Sequence, residues 1–122
     1  MSEPSTSGAV VPRLVILLNS DTGEALPTAL RYAATAAAMD VAVELHIISA
    51  AIALLRMDAV EPAFHDQLRQ AVSLGVEIFA CPLALAERSL TSAELVAEVA
   101  GVRGAASLLV AGLAPGARFL VF

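Results

Sequence analysis

Gly75-Val76-Glu77-Ile78-Phe79-Ala80-Cys81-Pro82 is the stretch whose reading decides the fold. Val76, Ile78 and Ala80 alternate with Glu77, Phe79 and Cys81, which is the period of a strand. Gly75 closes the preceding helix as a left-handed cap. Pro82 opens the next one, because proline costs little in a first helical turn, where its missing N–H has no partner to lose. The preceding helix starts at Glu61-Pro62 and sets Phe64, Leu68, Ala71 and Val72 on its inner face. Strand and helices therefore follow one another within some twenty residues, the rhythm of a βαβ unit.

The same rhythm extends upstream. Val41, Val43, Leu45 and Ile47 alternate with Ala42, Glu44, His46 and Ile48, giving a second strand over Val41 to Ser49 with one fully apolar face. Before it, the Ala-rich run around Ala33 to Ala38 is strongly helical, and Pro27 marks the first turn of that helix. The first strand is Arg13 to Asn19: Leu14-Val15-Ile16-Leu17-Leu18 is too short for a helix and is closed by Asn19-Ser20-Asp21. Ala50 to Met57 reads as a short helix or an ordered loop. Downstream, Pro82 to Glu87 begins a short helix. Thr91-Ser92-Ala93-Glu94 has the spacing of a capping box, predicting a helix over Ser92 to Glu98. Val99 to Arg103 fits a last helical turn or a strand, with a fifth strand the preferred reading, and Ser107 to Gly112 fits strand or helix. Arg118 to Phe122 is a terminal strand. The class is α/β with a mainly parallel sheet.

A length of 122 residues suits one domain. Residues 1–12 are expected to be a flexible tail and 13–122 a single α/β domain. Hydrophobic residues make up 58% and charged ones 16%, which excludes a largely disordered chain. The longest run without Asp, Glu, Lys or Arg is Gly104 to Ala117, 14 residues interrupted by glycines and Pro115. A spanning helix needs about 20 apolar residues, so no membrane span is expected. The excess hydrophobicity points instead to a sheet buried on both faces, or to a subunit interface, for which Ala50 to Met57 is the first choice. Seven Arg, no Lys and a net charge of −5, with no basic stripe, exclude nucleic acid as a partner. The polar, acidic N-terminus is no secretory signal, and one cysteine without a partner fits the cytoplasm.

Ligands of open parallel sheets sit at the carboxyl ends of the strands. Three segments end there: Asn19-Ser20-Asp21-Thr22-Gly23, Ser49-Ala50 and Cys81-Pro82. The only thiol thus stands at the edge where function is expected, before a helix whose unpaired N–H groups favour a thiolate. Arg88, seven residues on, adds a positive charge if the short helix folds back. The plain alternative is a buried, inert cysteine. His46 reads as a core or interface imidazole and His65 as an exposed residue beside Asp66. With no CxxC or HxxxH spacing, no metal site is expected. No GxGxxG, P-loop or nucleophile elbow occurs, so no cofactor is implied.

Val76-Glu77-Ile78-Phe79-Ala80-Cys81, followed by Ala84, Ala86 and Arg88-Ser89-Leu90, resembles the DsrE family of sulfur-relay proteins, whose members carry a Gly-Val-initiated strand ending in cysteine, a short helix and often an Arg-Gly-Leu step. Leu14 to Asn19, Ala25 to Ala38, Leu45 to Leu55 and Gly116 to Phe122 resemble the family's other elements. The resemblance implies a three-layer α/β/α sandwich with a five-stranded parallel sheet, a fifth strand near Val99 to Arg103 and a helix from about Gly104 to Leu113. It also implies homo- or hetero-oligomers, often trimers or hexamers, and a sulfur carrier (a sulfurtransferase-like role) in which Cys81 accepts sulfane sulfur as a persulfide and hands it to a partner protein. Donor and acceptor proteins are then its partners. Asn19, Ser20, Ser49, Pro82 and Arg88 are the candidate binding residues around Cys81. Ser89 stands where the family favours Gly, Pro82 follows the cysteine directly, and the lack of a second cysteine excludes intramolecular handover. The other reading is a non-catalytic oligomeric domain that binds a small ligand or a protein at the same edge, with Cys81 structural.

Overall fold

In chain order the elements are β1 (Arg13–Leu18), α1 (Ala25–Ala38), β2 (Ala42–Ile47), a 3-10 helix (Ser49–Leu55), α2 (Pro62–Ser73), β3 (Glu77–Ala80), α3 (Pro82–Glu87), a single 3-10 turn (Ser92–Glu94), β4 (Val99–Val102), α4 (Ala105–Gly112) and β5 (Ala117–Val121). The computed structural model describes residues 11–122, so most of the tail expected over residues 1–12 lies outside the described residues. All neighbouring strands are parallel, in the order β4-β3-β2-β1-β5. From β1 to β4 each step moves the same way across the sheet. Right-handed crossovers therefore put α1 and α2 side by side on one face. The step from β4 to β5 reverses direction, so α4 crosses the opposite face, against β1 and β5.

The two faces follow from strand alternation. Ile16, Leu18, Val43, Leu45, Ile47, Ile78 and Ala80 face α1 and α2 and join Leu26, Leu30, Leu68 and Ala71 in one apolar core. Val15, Glu44, His46 and Phe79 occupy the other face, in register across β1, β2 and β3, and all four are buried. The helix α4 sits close to the sheet there because Gly112 has no side chain. A Cβ at that position would lie 1.8 Å from Phe119 Cζ.

Several local expectations are corrected. The capping box forms, with the Thr91 backbone N–H donating to Glu94 Oε1 at 2.8 Å. No helix to Glu98 grows from it. Leu95 and Val96 are buried, the Val96 N–H donates to Leu55 O at 2.9 Å, and Glu94 O accepts from the Met57 N–H at 2.9 Å. Tertiary hydrogen bonds thus take the groups that a second helical turn needs. In α2, Leu68 and Ala71 face the core, but Val72 is 38% exposed. Segment 50–57, the first choice for a subunit contact, turns Ile52 and Leu55 inward. Ala51, Ile52 and Leu55 are fully buried within the single chain, so its apolar residues belong to the core. Exposed apolar side chains cluster at α4 and its C-cap, where Leu109, Val110 and Leu113 face solvent; others, such as Met39, Leu83 and Val121, are scattered.

Candidate functional site

The Ala80–Cys81–Pro82 step ends β3 and starts α3. Cys81 is the N-cap residue in extended geometry with Pro82 in the first turn, and its carbonyl accepts from the Leu85 N–H at 3.1 Å. Its own N–H donates to Ile47 O at 3.1 Å, tying the cysteine to the end of β2. The thiol is half-buried. It opens into a cavity of about 300 Å³ at the carboxyl edge of the sheet, lined by Leu17, Ile48, Ser49, Leu83, Ala84, Glu87, Arg103 and the first turns of α4. The walls are mainly apolar. The charged lining groups are Arg103 and Glu87.

Among the residues singled out from sequence, Cys81 and Ser49 share this cavity; Asn19, Ser20, Pro82 and Arg88 are not part of its lining. Ser49 is held at φ +53°, a left-handed conformation that costs a non-glycine residue about 1–2 kcal/mol. Asn19 is exposed and its backbone N–H pairs with Phe122 O at 2.9 Å. Ser20 Oγ lies 2.9 Å from Thr22 Oγ1 within the loop. Pro82 packs on the Gly104 side of the edge. Arg88 turns to its neighbour Glu87, Nη1 to Oε1 3.9 Å. Ser89, where the family favours Gly, adopts φ +53°.

Arg103 is the cavity residue that sequence reading missed. Its backbone N–H donates to Ala80 O at 3.0 Å, and its guanidinium lies 4.1 Å from the centre of the Phe79 ring. The reason is a register shift. Ile78 pairs with Val99, but Phe79 pairs with Gly101, so Ala100 is an extra residue in β4. Strict alternation from Val99 would turn Arg103 away from Phe79. The bulge reverses that parity and puts Arg103 beside Cys81 on the same face. No signal in the sequence marks Ala100 as bulged.

Arg103 also reaches a second cavity of about 460 Å³ along the other side of α4, whose floor includes Glu44 and Arg13. Glu44 accepts from Arg13 Nη1 at 2.6 Å and lies 2.9 Å from His46 Nε2. His46, read as a core imidazole, is only 2% exposed and packs beside Phe79, ring centres 5.3 Å apart. His65, expected to be exposed, is half-buried with Nε2 2.7 Å from Glu98 Oε1. Among the described residues no three of His, Cys, Asp or Glu are grouped as metal ligands would be, and no helix is long and apolar enough to cross a membrane.

The sequence profile of the DsrE/DsrF-like family matches residues 13–122. The chain belongs to the DsrE/DsrF-like family. Its fold is that of solved structures with low sequence identity. It is similar to the protein of unknown function MTH1491 from Methanobacterium thermoautotrophicum (TM-score 0.77, 18% identity, 91% of this chain and 99% of that one). It is equally similar to the ychN protein from E. coli (TM-score 0.77, 19% identity, 91% and 99%). A conserved protein of unknown function from Bacteroides thetaiotaomicron, BT1422, follows (TM-score 0.73, 16% identity, 98% and 100%). No curated protein matches the sequence. The α/β class with a mainly parallel sheet, read from the strand–helix rhythm, and the five strands that the resemblance implied are thus the architecture of this DsrE-like chain, whose sheet is parallel throughout.

Proposed function

We propose that this DsrE-like chain is a sulfur carrier. The Cys81 thiolate attacks the sulfane sulfur of a donor. The donor's S–S bond breaks, its electron pair leaves with the remaining donor sulfur, and Cys81 holds the transferred atom as Cys–S–S⁻. A partner protein's thiolate then attacks the outer sulfur and releases the Cys81 thiolate. Both steps are displacements of thiol–disulfide exchange type, governed by thiolate fraction, access and leaving group. Neither needs a proton-transfer dyad, a metal or an oxidant. The observation that carries this reading is the position of Cys81: a half-buried thiol opening into a cavity at the carboxyl edge of a parallel sheet, in the strand-end position that the family resemblance gives to a sulfur-accepting cysteine.

Intact-mass spectrometry after mixing the native chain with polysulfide tests it. One added sulfur atom on the wild type, and none on Cys81→Ala, is the expected result. A Cys81 thiol that alkylates only after unfolding overturns it. That outcome supports the second reading, a non-catalytic domain that binds a ligand or partner at this edge, which is favoured by the packing of Cys81 against the apolar core cluster.

Self-association, as a trimer or hexamer, is part of the same proposal. Its support is α4, an eight-residue helix that, with its C-cap residue Leu113, leaves Leu109, Val110 and Leu113 exposed over the thinly covered face of the sheet. An apolar patch of this kind is buried economically by closed, symmetric assembly.

A further inference from the structure

We propose that Arg103 makes the Cys81 cavity selective for anionic reaction partners over neutral ones. The inference rests on Cys81 being the reacting group of the carrier reading, and it adds the class of donor. Three observations meet at this residue. First, Ala80 pairs with Val102 in the β3–β4 ladder, so one step further Cys81 and Arg103 are neighbours across two strands, which lie about 4.8 Å apart. Second, the extra residue Ala100 is what turns Arg103 onto the thiol's face. Third, its charge is uncommitted. Arg13, Arg56, Arg69 and Arg88 each have a carboxylate within 4.0 Å, and Arg103 has none among the described residues. Its guanidinium carbon lies 4.1 Å from the centre of the Phe79 ring, and a guanidinium held by an aromatic ring still has N–H groups to donate to an anion. The remaining charged group of the lining, Glu87, lies near Arg88.

The donors favoured by such a site are small anions that carry sulfane sulfur, such as thiosulfate or polysulfide. With thiosulfate the step is Cys–S⁻ plus S–SO₃²⁻ giving Cys–S–S⁻ plus SO₃²⁻. The outer sulfur is transferred, the S–S electron pair leaves with sulfite, and three negative charges stand on each side. Bringing a thiolate and a dianion together is opposed by their repulsion. A guanidinium beside the thiol offsets that repulsion, and a neutral trisulfide gains nothing from it.

The test uses alkylation, which does not depend on sulfur transfer. Native full-length chain is treated with iodoacetate or iodoacetamide, which alkylate the same thiol but differ in charge, and the rate ratio of the two is measured. In Arg103→Gln the iodoacetate-to-iodoacetamide ratio is expected to fall about three- to tenfold, the size of a single nearby charge in a partly solvated site. Arg103→Lys should restore most of it, and added salt should shrink the wild-type ratio. The iodoacetamide rate reports any general distortion, because loss of structure changes both reagents together. Arg31→Gln, on α1 at the other face, should leave the ratio alone. An unchanged ratio in Arg103→Gln overturns the proposal, as does a native thiol that reacts with neither reagent. Sulfur loading from thiosulfate, read as one added sulfur atom on Cys81 with sulfite released, forms the second arm. A chain that shows the alkylation preference but loads no sulfur from thiosulfate or polysulfide sinks the carrier reading and leaves the selectivity of Arg103 standing.

Discussion

On strand β2, Leu45 and Ile47 point toward α1 and α2, while Glu44 and His46 point toward the side crossed by α4. All four are at most 5% exposed, yet they are buried by different means. The first pair sits under two helices of 14 and 12 residues, among aliphatic side chains. The second sits beside one helix of eight residues and is closed off by its own partners: Arg13 on Glu44, Glu44 on His46, Phe79 against the imidazole and Arg103 over Phe79. Equal burial therefore conceals unequal energetics. Aliphatic burial stabilises in proportion to the area removed from water, whereas a buried ion network must first offset its own desolvation. The stabilising core lies on the α1/α2 face, and the face with room for ligands or partners is the one that holds the charges and both of its larger cavities.

The largest expected effect separates neighbours on that strand. Leu45→Ala should lower stability by about 2–5 kcal/mol, the cost of a cavity in a packed core. Glu44→Ala should cost less, about 1–3 kcal/mol, because it strands the buried imidazole of His46 while Arg13, 39% exposed at its side chain, can rehydrate. Urea unfolding of both variants gives the order, and a larger loss for Glu44→Ala would break the comparison. The double replacement Glu44→Met with His46→Leu sharpens it. If the network serves something other than stability, apolar residues of similar volume should recover most of the loss of Glu44→Ala; a double variant no more stable than Glu44→Ala would make the network a true contributor. Gly112→Ala comes next, at about 1 kcal/mol, since the new methyl must displace the Phe119 ring. Phe119 is only half-buried and can swing, which holds the cost near the low end.

These contrasts also explain what was legible beforehand. The Gly75-to-Pro82 stretch could be read almost to the residue because its signals are local: alternation, a glycine cap at φ +104° and a proline in a first turn. The Thr91 capping box was legible as a cap and misleading as a helix, because the backbone groups beyond it bond to Leu55 and Met57, some 40 residues away in sequence. Ile52 and Leu55 looked like interface residues for the same reason. Their apolar ring around a short helix is visible in sequence, but the pocket that receives it is not. At the site, Cys81 and Ser49 stand out as strand ends. Arg103 does not, because its orientation depends on one bulged residue in the shortest part of the sheet. Sequence distance favoured Arg88, and register favours Arg103.

The smallest effect on stability falls on the outer side of α4, and it is the one that decides how the thinly covered face exists in solution. Val110 and Leu113 are each 75% exposed. Replacing both by Ser removes little burial from the single chain and should change its stability by about 0.5 kcal/mol or less. If copies of the chain cover this face, the same change removes two apolar contacts from every interface. Sedimentation at micromolar concentration should then show the wild type as a multiple of 12.5 kDa and the double variant shifted toward a single chain. A wild type that sediments as a single chain, or a variant that sediments like the wild type, would mean that α4 is not the contact. The polar face would then be open to water as it stands, with Arg103 and the Glu44 network lining an exposed groove. Melting temperature cannot tell these cases apart, because association shifts it by mass action; the mass at two protein concentrations can.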